Sequence, residues 1–262
     1  MVMTARTHVS GIDVEWWQVL AFGLVMLVIG VLYNLWRHRR NTPRFEVLAE
    51  RYGGTYAGSA QARIETFAGT GWEPPSSPFP VENHLTGSHE GRPFYCFGWQ
   101  YTPYQSPLDG WSDGDDEMYD AGDGGPRTVN MSVYVMELPG YYGHFSVRRH
   151  SALRRVFGQS DVEVGHPEFD RHFTVRGDDP QAAVYALQGA VSEFLLGDER
   201  SKDCSMWFMG DRLVCAYESQ FGPEDVEPAL EHLTQVIGRL RPPAYPAQSQ
   251  GSLWQDVLPL GG

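Results

Sequence analysis

The side chains with the most chemical potential lie in one short segment, His166-Pro167-Glu168-Phe169-Asp170-Arg171-His172. His166, Glu168, Asp170 and His172 alternate, and on a strand alternate side chains point to one side. Imidazoles and carboxylates held together can bind a metal ion or work as an acid/base pair. His166, Asp170 and His172 are therefore the candidate catalytic residues of a metal-dependent or acid/base hydrolase. A plainer account competes with this one. Phe169, Phe173 and Val175 form an apolar, core-facing side, which leaves the ionisable row in solvent.

Other chemical motifs come close and fail. His89-Glu90-Gly91-Arg92-Pro93 begins like H-E-x-x-H, but proline stands where the second zinc ligand belongs. In Gly87-Ser88-His89-Glu90-Gly91 the serine comes one position too early for a nucleophile elbow. Lys202 is the single lysine. It has no glycines ahead of it for a phosphate loop, and its turn-like setting has nothing to activate it for Schiff-base chemistry. No motif calls for a metal or a cofactor. The balance of 20 basic against 33 acidic residues, net −13, speaks against nucleic acid as a partner.

The three cysteines, Cys96, Cys204 and Cys215, are odd in number and lack motif spacing, which suits a reducing compartment. Seven of the acids fall in YQSPLDGWSDGDDEMYDAGDGGP, an insertion centred on 105–126. A calcium loop starting at Asp113 fails, because Met118 takes the glycine position and Gly124 the terminal glutamate position. The segment reads as a mobile acidic loop.

The elements that must carry these residues begin with an apolar run. Trp16 to Trp36 contains no charge, and as a helix it spans roughly 31 Å against a hydrocarbon core of ~30 Å. Trp16, Trp17, Tyr33 and Trp36 sit at its ends, where amphipathic rings prefer the headgroup level. Arg37, Arg39 and Arg40 follow it, with Arg44 beyond. By the positive-inside rule these residues anchor the chain in the inner membrane, with residues 1–15 outside and the main domain cytoplasmic.

Thr42-Pro43 predicts a new helix carrying Phe45, Leu48, Ala49 and Tyr52, ended by Gly53-Gly54. Strand patterns follow, with a hairpin turning at His89-Glu90-Gly91 and further strands at 128–138 and 143–150. Asp179-Pro180 caps a helix with Val184, Leu187, Val191, Phe194 and Leu195 on one face, running to Gly197. Cys204–Met209 and 212–218 form a hairpin with Cys204, Met206, Phe208, Leu213, Cys215 and Tyr217 on one face. The two cysteines are diagonal there and read as small buried hydrophobes without a disulfide. A last helix carries Val226 to Leu240, with Pro228 tolerable only in its first turn. The Pro/Gln/Ser-rich tail, 242–262, presents Leu253, Trp254, Val257 and Leu258, which either dock on their own domain or bind a partner.

PRFEVLAERYGGTY, HEGRPFYCFGWQY and HPEFDRHFTVRGDDPQAAVYAL, in this order after a membrane helix, resemble a family of uncharacterised single-span membrane proteins of high-GC Gram-positive bacteria. The chain also resembles, more distantly, a bacterial domain of unknown function in which a Phe-x-x-x-Phe-x-Val strand precedes an Asp-Pro-capped helix, with Phe169, Phe173, Val175, Asp179, Pro180 and Ala183 as the matching positions. The resemblance implies an anchor and a domain, and brings no reaction with it. The expected architecture is α+β: a largely antiparallel sheet of about six strands and two packed amphipathic helices over residues 41–241, tethered by one N-terminal helix. The function expected is a non-enzymatic binding or scaffold module for a protein or peptide partner at the membrane. The hydrolase and a lipid or envelope-precursor binder are the alternatives.

Overall fold

A computed structural model describes residues 7–9, 12–14, 16–62, 79–101, 128–149, 162–177, 179–243, 245–246 and 257–259. The acidic insertion, Leu253 and Trp254 lie outside the described residues. The chain divides into two units, Met1–Arg44 and Phe45–Gly262.

The first unit holds a small hairpin, β1 (Thr7–Val9) with β2 (Ile12–Val14), and most of helix α1 (Trp16–Arg51). α1 is continuous where two helices were expected. Pro43 lacks the amide that would reach back to Arg39, yet the single lost bond does not end the helix, because good helix formers (Arg, Leu, Glu, Ala) dominate the turns on both sides.

The second unit is α+β. Its strands are β3 (Tyr56–Ala62), β4 (Phe79–His89), β5 (Arg92–Tyr101), β6 (Val129–Glu137), β7 (Gly140–Tyr141), β8 (His144–Arg149) and β9 (Phe173–Gly177), then β10 (Cys204–Met209), β11 (Arg212–Tyr217), β12 (Tyr245–Pro246) and β13 (Val257–Pro259). Nine of these form one sheet in the order β13-β3-β4-β5-β6-β11-β10-β8-β9, with every pair antiparallel. β12 pairs separately with β7. The expected hairpins are present: Glu90-Gly91 turns between β4 and β5, both with positive φ, and Gly210-Asp211 between β10 and β11.

The helices are α2 (Pro167–His172), α3 (Pro180–Leu187), α4 (Ala190–Gly197) and α5 (Pro223–Ile237). Asp179 caps α3, its carboxylate accepting from the Ala182 amide at 3.0 Å, with Pro180 at the first position. The expected single helix to Gly197 is two, because Gly189 takes φ +75°, a left-handed conformation that only glycine adopts cheaply. Pro228 lies inside α5, not in its first turn, since Pro223 starts that helix a turn earlier.

Alternation along the strands feeds two apolar clusters. Phe94, Cys96, Tyr134, Met136, Met206, Phe208 and Leu213 join the first, where buried apolar side chains of the helices also pack, from Phe45 on α1 to Ile237 on α5. Tyr95, Phe97, Trp99, Val133, Val135, Trp207 and Val214 form the second, to which no helix contributes among the described residues. Both faces of the sheet are buried, so its central strands are apolar on both sides. At β3–β4 the chains approach so closely that a Cβ on Gly54 would meet the Thr86 carbonyl.

Cys204 and Cys215 are joined by a disulfide, which corrects the expectation of two separate thiols. Their register is the expected diagonal one, with Cys204 opposite Tyr217 and Met206 opposite Cys215. The Cα atoms are 6.2 Å apart, inside the range of about 4.4–6.8 Å that a disulfide spans. A diagonal pair is thus near enough to bond.

Candidate functional site

The His166–His172 segment is not a strand. His166 is the N-cap of α2 and Pro167 its first residue, with Glu168 and Asp170 following in the first turn, where carboxylates suit the positive end of a helix. His166 Nδ1 accepts from the Phe169 amide at 3.2 Å. The Asp170 carboxylate accepts from the amides of Val164 (2.9 Å) and Gly165 (3.1 Å). His172 Nδ1 lies 2.8 Å from the Glu168 carbonyl oxygen. Each candidate side chain is thus engaged with local backbone, and the helix turns the row that a strand would have aligned. Only Phe169 of α2 is buried, and it stacks on Phe173 with centroids 4.7 Å apart. Among the described residues no group of three or more His, Cys, Asp or Glu side chains is placed to hold a metal ion.

A different ionisable group lies between α4 and α5, and the sequence reading missed it. Asp198 caps the short 3-10 turn Glu199–Lys202, accepting from the Arg200 amide at 2.8 Å and from Arg200 Nε at 2.9 Å. Arg200 Nη1 also donates to the Pro228 carbonyl at 3.1 Å. His232, fully buried on α5, brings Nδ1 to 3.7 Å from Asp198 Oδ1, too far for a hydrogen bond, and neither ring nitrogen has a hydrogen-bond partner. Hydrogen bonding from Arg200 holds the Asp198 carboxyl down at about 2, and burial lowers His232 to about 4. A neutral imidazole sealed from solvent, beside a carboxylate already committed to Arg200, supports packing. It offers no surface to a substrate. Its sequence signal was a histidine at the edge of the Val226–Ile237 apolar stripe.

Among the described residues, most of the exposed large apolar side chains lie on α1. From Trp16 to Tyr33 the helix has mean hydropathy 2.0 and none of that stretch is buried. Leu20 is 72% exposed, and Phe22, Leu24 and Leu27 are similarly bare. By length and composition this helix can cross a membrane. A buried core helix of the same composition would be covered, and this one is not. Tyr33 and Trp36 lie at the C-terminal end of the apolar run with ring centroids 6.1 Å apart, and the Arg40 guanidinium sits over Trp36 at 5.2 Å.

On the domain, a shallow depression of about 330 Å³ is lined by Pro180, Gln181, Val184, Tyr185 and Gln188. The Tyr185 hydroxyl donates to the Pro242 carbonyl at 2.8 Å and the Tyr142 hydroxyl to the Arg241 carbonyl at 2.7 Å, so the start of the tail is pinned beside α3. Of the tail's candidate binding residues, Val257 and Leu258 belong to β13, paired with Ala62 and Gln61 at the sheet edge.

Fold and surface together define an α+β chain with one N-terminal helix fit to span a membrane. No family model and no curated protein matches it. Among solved structures it is similar to the crystal structure of the mycobacterial trehalose monomycolate transport factor A. The two are 12% identical, the match covers 77% of this chain and 96% of that one, and the TM-score is 0.45.

Proposed function

We propose that this protein is a membrane-anchored, non-enzymatic binding or scaffold module for a protein or peptide partner, and that it belongs with the single-span family its sequence resembles. The observation that carries the reading is the pairing of an uncovered apolar helix with a sheet whose apolar side chains are buried on both faces. The ionisable side chains described above are held in caps, local backbone hydrogen bonds and ion pairs or, for His232, buried without a hydrogen-bond partner, and they do not converge on a cavity. Binding then falls to surfaces outside the sheet, with the acidic insertion and the tail as the segments richest in recognisable chemistry. Deleting 105–126 or 250–262 is expected to lower recovery of a crosslinked partner from native membranes. Unchanged recovery from both deletions removes the basis of this reading.

In this reading the domain lies at the cytoplasmic face with the N-terminus outside, and the arginine flank of the apolar run supports that orientation by the positive-inside rule. The Cys204–Cys215 bond pulls the other way, since disulfides persist in oxidising compartments. Charge in short flanks acts directly on insertion, and it decides our assignment. Green fluorescent protein fused after Gly262 should fluoresce, and alkaline phosphatase at the same place should stay inactive. The opposite pattern reverses the orientation.

A second reading, association with a lipid or envelope precursor, has the apolar depression beside α3 in its favour, which has room for an acyl segment. Val184→Asp there should abolish retention of a spin-labelled fatty acyl probe if that reading holds.

A further inference from the structure

The continuity of α1 through Pro43 fixes the angular placement of Arg44 relative to Arg37 and Arg40, which precede the proline. Had the helix broken at Asn41-Thr42-Pro43, the direction of Arg44 would have been independent of theirs. On one helix, Tyr33, Arg37, Arg40 and Arg44 are spaced by four, three and four residues, so they share a single face. Trp36 flanks that face, and Arg39 falls on the opposite side.

We propose that the stripe Arg37, Arg40 and Arg44 is a recognition site for the phosphate headgroups of anionic phospholipid, in the leaflet at the C-terminal end of the span. This rests on the reading of α1 as a membrane anchor. Distance supports it. Tyr33 and Trp36 mark the interfacial level, and Arg44 lies about 12 Å further along the axis. Side chains on a helix lean toward its N-terminus, here back toward the membrane. The Arg40 guanidinium does so, lying over the Trp36 ring at 5.2 Å. Arginines spaced this way meet the headgroup layer at successive depths.

Chemistry supports it as well. Every cation of the stripe is arginine, whose planar fork bonds phosphate oxygens in pairs. The stripe also supplies local positive charge in a chain whose net charge is −13, and an anionic leaflet is the complementary surface.

The test uses full-length protein in mild detergent, offered equal amounts of dioleoylphosphatidylglycerol and dioleoylphosphatidylcholine, with bound lipid counted by native mass spectrometry. Wild type should retain the anionic lipid with a preference of about tenfold or more. Arg37→Gln/Arg40→Gln/Arg44→Gln should bring the two lipids near parity, while Arg39→Gln keeps the preference. Far-ultraviolet circular dichroism confirms that each variant is folded. Parity in wild type overturns the proposal and leaves the stripe to an acidic protein partner. An equal loss in Arg39→Gln overturns it too, because charge count and not the stripe would then be responsible. Millimolar inorganic phosphate should displace little lipid, and full displacement would assign the site to free phosphate. Alkaline carbonate extraction of native membranes separates the two readings. Release of wild type refutes the anchor itself, whereas retention with lipid parity refutes only the lipid site.

Discussion

Among the described residues, His232 and His84 are two buried histidines that make this fold sensitive to acid. His232 is fully buried and His84 is 8% exposed, and burial lowers both to about 4 from the ordinary 6.5. The unfolded chain takes up these protons first, so their contribution to stability is complete above pH 6.5 and is lost as pH falls toward 4. By pH 5 the loss is about 2 kcal/mol for each histidine. Urea midpoints should fall between pH 7 and pH 5. His232→Leu, apolar and of similar size, should flatten that dependence by roughly half. A midpoint with the same pH slope in both proteins would remove His232 from the account. Asp198 adds a later phase, since its carboxyl, held at about 2 by Arg200, weakens the fold only as pH drops below its unfolded 3.8.

At the scale of elements, two helix starts were written in the same chemistry and only one was legible. Asp179-Pro180 was read as cap and first position, and the structure caps α3 in that way. His166-Pro167 has the same form, with acids at once after it, yet alternation of His, Glu, Asp and His suggested a strand. Both patterns fit six residues. The cap prevails because Phe169 and Phe173 stack into the core through a helix-to-strand corner. The break between α3 and α4 is a local matter of backbone. Gly189→Ala meets no atom within 4 Å, so its cost should be conformational only, about 1–3 kcal/mol for a non-glycine residue at φ 75°, ψ −120°. Asp179→Ala should cost about 1 kcal/mol by loss of the cap. Thermal or urea denaturation reads both. A neutral Gly189→Ala would mean that the two helices can fuse.

For the molecule as a whole, the exposed run of α1 sets where the chain can reside. Leu24→Arg with Val28→Arg places two charges mid-span, at about 2.5–3.5 kcal/mol each on insertion scales. The variant is expected to be released by alkaline carbonate while its near-ultraviolet circular dichroism stays that of wild type. Retention in the membrane would disprove the span. The sheet was legible in outline, since Cys204–Met209 and 212–218 were paired in the right register and face from alternation and a turn. Its extent was not. Strands such as β5 and β6 are apolar on both sides, so periodicity marks them as buried without saying against what.

The linear chain determined whatever depends on neighbours a few residues apart: the uncharged 21-residue run and its arginine flank, the Asp179 cap, the hairpin turns, the α+β class. Those features are local energies of hydration, capping and backbone conformation, and they can be summed along the sequence. Tertiary structure alone decided the Cys204–Cys215 bond, the burial of His232 beside Asp198, the dispersal of the His166–His172 row and the unbroken course of α1. Each of these turns on distances between groups, or on one broken hydrogen bond weighed against many intact ones. A linear pattern records neither.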